Sequence, residues 1–177
     1  MRPNVMWIAL VVLAGPALGQ SLGERTGINS ALGVSPKAQD FVTEAGQSDI
    51  FEIETSKLAS QQGSDAVKSF ANQMVADHSK TSQELKEMAT SAKINLPTEL
   101  SSSQKSTVDK LRNVKGNDFD KQYVDDQVSA HKNAVSLFER YGKGGDNEKL
   151  KSWASMTLPA LQHHLEMAQN LQKGEKK

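Results

Sequence analysis

The 177-residue sequence contains no cysteine, which removes thiolate nucleophiles, thiolate-bound zinc, iron–sulfur clusters, covalently attached c-type haem and disulfides together. Excess charge of either sign is also missing, with 21 Lys and Arg against 21 Asp and Glu. Nucleic acid and acidic membrane surfaces both call for clustered surplus Lys and Arg, so neither is expected as a partner. Aromatic residues make up only 5%, and no segment alternates apolar and polar side chains with period two, which argues against a β-barrel. The one uninterrupted apolar run, Val5 to Ala14, is far shorter than the roughly 20 residues a membrane-spanning helix needs. A Gly-x-Ser-x-Gly elbow, a phosphate-cradling glycine loop and a His-Glu-x-x-His motif are likewise lacking.

What is there begins with a leader. Arg2, the apolar run, the break at Gly15-Pro16 and the small residues around Ala17-Leu18-Gly19 read as a signal peptide over residues 1–19, cleaved after Gly19. The expectation is a periplasmic or secreted protein with no membrane span in the mature chain. Residues 20–34 are rich in Gly, Ser, Thr and Asn and read as a flexible tail, residues 35–173 as one helical domain, and residues 174–177 as a disordered basic tail. At this size roughly two thirds of the unfolded chain's surface can be buried, so packing alone can hold the fold.

Helical periodicity organises the rest. Ser35-Pro36 offers an N-cap hydroxyl and a first-turn proline, after which Val42, Ala45, Asp49, Glu52/Ile53, Ser56 and Ala59 recur every three to four residues until Gly63. Ser64 heads a second stripe of Val67, Ala71, Met74, His78, Ser82, Leu85 and Ala89. Beyond Ile94 to Pro97 comes a short amphipathic piece with Val108, Leu111 and Val114, closed by Gly116. Asn117 is placed to cap a third long helix with Val124, Gln127, His131, Ala134, Phe138 and Tyr141 inward, and Gly142 to Gly145 read as the next turn. A fourth long helix runs from Asp146 to about Gln172 with Leu150, Ala154, Thr157, Leu161, His164, Ala168 and Leu171 inward. Short links after the first and third helices, and a long one between the second and third, predict an all-α, ferritin-like four-helix bundle whose crossover carries a short helix.

The informative residues are polar ones in the apolar register. His78, His131 and His164 each occupy an inward position, whereas the register of His163 turns it outward. Asp49 and Ser56 fall inside the apolar arc of the first helix and Glu52 at its edge. Ionisable side chains are rarely buried unless paired or bound, so something must satisfy them. One reading is a single transition-metal ion held by Glu52, His78, His131 and His164, with Asp49 as a substitute carboxylate. The other is a hydrogen-bonded polar layer that fixes helix register, supported by Ser56, Asp77, Tyr123 and Gln127.

Levels along the helices separate these readings. Asp49 and His78 lie 14 and 15 residues from Gly63, at nearly one height. About a turn centred near residue 143 or 144, His131 and His164 differ by about 8 residues, roughly 12 Å, unless a kink at Pro159 or a shifted loop closes the gap. A di-iron centre would carry Glu-x-x-His on two helices, but Val75, Val128 and Leu161 stand three residues before the inward histidines, so that motif is absent. Met74 and Met167 offer soft sulfur for copper or, more simply, core filling. Asp77 points about 100° from His78, toward solvent or another helix. Tyr123, Gln127 and His131 share a face and could form a ladder of donors and acceptors.

Glu52-Ile53 with Ser56, Leu58 and Ala59, then Phe70-Ala71, Met74, Asp77-His78 and Leu85, resemble the bacterial family known as domain of unknown function 4142. The resemblance continues through Phe119-Asp120, Tyr123, Gln127, His131, Leu158-Pro159, Leu161 and His164-Leu165. It implies a ferritin-like bundle in an exported bacterial protein, with Glu52, His78, His131 and His164 on the family's polar motif positions; it carries no catalytic role, because the family has no established activity. Three functions stand as expectations: a periplasmic metal-binding bundle in metal handling or envelope stress, a metal-dependent redox enzyme, and a helical module for a protein partner or a second copy of itself.

Overall fold

A few residues decide where this chain can reverse. Gly63 is extended, and a Cβ there would lie 2.5 Å from Val67 Cγ1, so only glycine allows the two-residue link at this corner. Lys93 adopts the left-handed conformation at φ 56° and ends the second helix. The structure, a computed structural model, describes residues 32–174; the signal peptide assigned to residues 1–19, nearly all of the tail assigned to 20–34 and the last three residues lie outside the described residues. Between these breaks run α1 (Ala38–Gln62), α2 (Asp65–Ala92), α3 (Ser102–Asn113), α4 (Gly116–Gly144) and α5 (Glu148–Gly174), with no strand among the described residues. No helix in the described residues is long and apolar enough to cross a membrane.

Several helix ends differ from the expected ones, for a shared reason. α1 starts at Ala38 rather than at the Ser35-Pro36 pair, and the N–H of Ala38 donates to Asp146 Oδ1 at 2.9 Å, 108 residues away. Ser64 is the N-cap of α2, yet its hydroxyl makes no capping bond; its own N–H donates to the two carboxylate oxygens of Asp120 at 3.1 and 3.2 Å. Tertiary carboxylates thus provide the negative charge that helix N-termini favour. α3 is capped locally by the reciprocal Ser101 and Gln104 pair, and α5 by Asn147, whose Oδ1 accepts from the Leu150 N–H at 3.2 Å. α4 begins at Gly116, with Lys115 and not Asn117 as its N-cap.

The expected turn at Gly142 to Gly145 is mostly helix, since α4 continues through Gly144 and Gly145 N–H closes it on Tyr141 O at 2.7 Å. Gly142 serves close approach instead: a Cβ there would stand 2.7 Å from Ser155 Oγ on α5. The reversal therefore centres near residue 146.

α1 and α2 form one hairpin, α4 and α5 another; α1 lies along α4 and α2 along α5, while α3 leans on α1 and touches α4. One apolar cluster gathers Phe41, Leu85, Phe138, Tyr141, Leu150 and Trp153, and a second gathers Phe70, Met74, Leu111, Phe119 and Tyr123. On all four long helices the stretch between the clusters is polar and buried: Asp49, Glu52, Thr55, Ser56, His78, Gln127, His131 and His164.

Candidate metal centre

α2, α4 and α5 each deliver one imidazole to this layer. The ring centroids of His78, His131 and His164 form a nearly equilateral triangle with sides of 5.4, 5.5 and 5.5 Å. One nitrogen from each ring lies within 4.8 Å of the others, and all three residues are buried. The sequence levels had separated His131 from His164 by about 12 Å; with the reversal at 146 they stand 15 and 18 residues from it, a difference of about 4.5 Å that side chains span. His163 is exposed.

Each ring is held from behind through one nitrogen. His78 Nδ1 pairs with Asp49 Oδ1 at 2.8 Å, and Asp49 also accepts from Thr81 Oγ1 at 3.1 Å and Ser82 Oγ at 3.3 Å. His131 Nδ1 donates to the Gln127 carbonyl at 2.9 Å, and His164 Nε2 pairs with Asp77 Oδ2 at 3.0 Å. A carbonyl oxygen only accepts, so His131 carries its proton on Nδ1 and keeps a lone pair on Nε2. The carboxylates select the corresponding tautomers of neutral His78 and His164. The remaining nitrogens, His78 Nε2, His131 Nε2 and His164 Nδ1, are buried and have no hydrogen-bond partner. An outer nitrogen bonded to carboxylate or carbonyl, with an inner nitrogen left free, is the arrangement that orients metal-binding histidines.

The carboxylates of α1 sit behind the rings. Asp49 is bonded to His78, and Glu52 Oε1 lies 3.8 Å from His131 Nδ1. Both Glu52 oxygens are buried without a hydrogen bond; the nearby Gln127 amide donates in good geometry to Thr55 Oγ1 at 3.2 Å. Asp77 does face another helix, reaching His164. Of the expected ladder of Tyr123, Gln127 and His131, only the bond from His131 to the Gln127 backbone carbonyl runs along α4; the side chains of Tyr123 and Gln127 do not link to it. Their bonds run across to α1 instead, Tyr123 to Ser56 at 2.9 Å and Gln127 to Thr55, because these partners lie directly opposite at the same level. Thr55 and Thr81 were not anticipated, although Thr81 stands one turn after His78 and a search for hydroxyls at that spacing would have found it. Met74 belongs to the second apolar cluster and Met167 packs against it.

Electrostatics give the cluster room for one cation. Burial pushes Glu52 up to about 7, against the lowering effect of His78 and the Gln127 amide. Burial also disfavours charge on His78, but the Asp49 hydrogen bond and the negative field of Glu52, Asp49 and Asp77 outweigh it and raise that imidazole above its ordinary value. His131 is driven down to about 3 by burial and by the His78 charge, and His164 falls for the same two reasons despite Asp77. One protonated ring is therefore accommodated and a second is not. A proton on His78 and a metal ion among the rings would compete for the same place.

The residues fit a metal ion. Three imidazole lone pairs suit zinc, copper or iron, and bonds of about 2.0–2.1 Å need donors roughly 3.5 Å apart, a closure that ring rotation can provide. The three buried histidines could hold one such ion.

An all-helical protein with a trihistidine cluster between two apolar ends is the class these features define. The chain belongs to the family described as domain of unknown function (DUF4142), which it matches over residues 23–171. No curated protein matches it in sequence. Among solved structures it is similar to CopM in the Cu(II)-bound form, with a TM-score of 0.66 at 13% identity over 80% of this chain and 99% of that one. At that identity the likeness concerns the helical fold.

Proposed function

We propose that this protein is an exported, ferritin-like four-helix bundle that binds a single transition-metal ion in a metal-handling or envelope-stress role, with His78, His131 and His164 as ligands. The observation that carries this reading is the clustering of three buried imidazoles, each held from behind through one nitrogen and each with its other nitrogen buried without a protein partner. Asp49 and Asp77 orient two of the rings. Asp49 and Glu52 together supply two negative charges beside the site, so a dication would leave the buried layer near neutrality. Copper(II) is the first ion to examine, because nitrogen donors favour it and the structurally similar CopM carries it.

Elemental analysis of the untagged chain purified from the periplasm tests the reading. About one equivalent of copper, zinc or iron, lost in His78→Ala, supports it; metal-free protein that also fails to take up added metal refutes it. A second reading, a metal-dependent redox enzyme, is favoured by the ligand count. Three protein ligands leave at least one coordination position open to a substrate. Oxygen-dependent turnover by the loaded chain, abolished in His131→Ala, would distinguish an enzyme from a carrier.

A further inference from the structure

The groups that hold the rings from behind differ in one respect: only one of them is substantially exposed to water. The Asp49 side chain is 10% exposed beneath Thr81 and Ser82, the Glu52 side chain is 1% exposed, and the carbonyl that holds His131 belongs to fully buried Gln127. The Asp77 side chain is 43% exposed while touching a His164 ring that is itself 5% exposed. A continuous polar path of two side chains therefore leads from solvent to the cluster, between α2 and α5. Along that seam the next polar rung is Trp153 Nε1 donating to Glu84 Oε2 at 2.9 Å, two turns away and away from the imidazoles.

α5 is also locally loosened here. Pro159 lies inside it, one turn before His164, and has no N–H to offer the carbonyl of Ser155. The helix can flex at the turn that leads into the least buried end of the path.

We propose that the metal ion enters along the α2–α5 seam, meeting the Asp77 carboxylate first, with His164 the last imidazole to close on it. This rests on the metal-binding reading above. Asp77 is then a positioning residue with two tasks: it draws a hydrated cation to the seam, and it holds His164 in the tautomer that presents Nδ1 inward. Asp77→Asn separates the tasks, because the amide oxygen still accepts from His164 Nε2 while the charge is gone.

Stopped-flow mixing of the metal-free chain with cobalt(II), read by its d–d absorption, tests the route. The association rate should fall about tenfold in Asp77→Asn and lose most of its dependence on salt, while the wild-type rate slows as salt rises. Glu84→Gln removes an equal charge from the same seam away from the cluster and should leave the rate within about twofold. His131→Ala should abolish saturable uptake. If His131→Ala binds as the wild type does, the metal reading itself fails. If it does not bind, yet Asp77→Asn associates at the wild-type rate, or Glu84→Gln slows association as much, the entry route is overturned and the site stands.

Discussion

The aromatic end of the molecule and its histidine layer are built by the same helices and could hardly differ more. At the end where α1 begins and α4 finishes, Phe41 stacks on Tyr141 at 3.9 Å and meets Phe138 edge-on at 5.1 Å, with Trp153 closing the group. Even its polar atoms are served: Trp153 Nε1 bonds Glu84 and Tyr141 O–H bonds Asp146. Roughly two to three turns along, the layer of Glu52, His78, Gln127, His131 and His164 leaves six buried side-chain atoms without a hydrogen bond. Each such atom costs about 1–3 kcal/mol when it stays dry. One region is complete in itself and the other is not, and the unfinished one is where function is to be sought.

The largest effect that sharpens this contrast is expected at the complete end. Phe41→Ala removes the ring at the centre of the stack and should cost about 3–5 kcal/mol of stability, read by urea denaturation, without changing metal affinity once folded. Loss of metal binding in a folded Phe41→Ala protein would mean the two regions are not separable.

Acid should act mainly on the other region. As pH falls below 6.5, the unfolded chain protonates His131, which the folded state keeps neutral down to about 3, and His164 acts in the same direction. Glu52 opposes them, since from about 7 to 4.5 the folded state holds a proton that the unfolded chain has released. His78, raised, contributes stability that is present below 6.5 and lost as pH climbs through its folded value, so it adds no slope in the acid window. His131 and Glu52 thus nearly offset, and the lowered His164 tips the balance, so the metal-free protein loses stability as the pH falls from 6.5 to 4.5. Urea midpoints of metal-free protein across that range should show the loss, and His131→Asn should flatten it. A flat wild-type profile would place water or charge where a dry neutral ring is described.

A smaller effect of opposite sign is expected from Glu52→Gln. At pH 8 the buried carboxylate is ionised without a hydrogen bond, so its amide should stabilise the metal-free protein by about 1–2 kcal/mol while weakening metal binding. Destabilisation at pH 8 would show that Glu52 balances a proton retained on His78.

Much of this contrast was legible in the sequence. The inward stripes place His78, His131 and His164 in the core and turn His163 out, because a 3.6-residue period is enough to decide a face. The height match of Asp49 and His78 could be counted from Gly63, a corner that no other residue fits. The second hairpin misled because glycine has two uses. Gly142 and Gly144 look like turn residues, yet Gly142 permits close approach of α5, and a two-residue error in the turn centre doubles in the level difference. Caps were misplaced for a further reason: Asp146 and Asp120 act across 108 and 56 residues, and local pattern carries no record of such partners. The cross-helix bonds of Tyr123 and Gln127 were hidden in the same way.

X-ray absorption on the copper- or zinc-loaded chain tests the central claim most directly. The account predicts one metal per chain with three imidazole nitrogens at about 2.0–2.1 Å, reduced in number by any one of His78→Ala, His131→Ala or His164→Ala. A shell of oxygen donors alone, or an unchanged spectrum in the triple histidine variant, would contradict it.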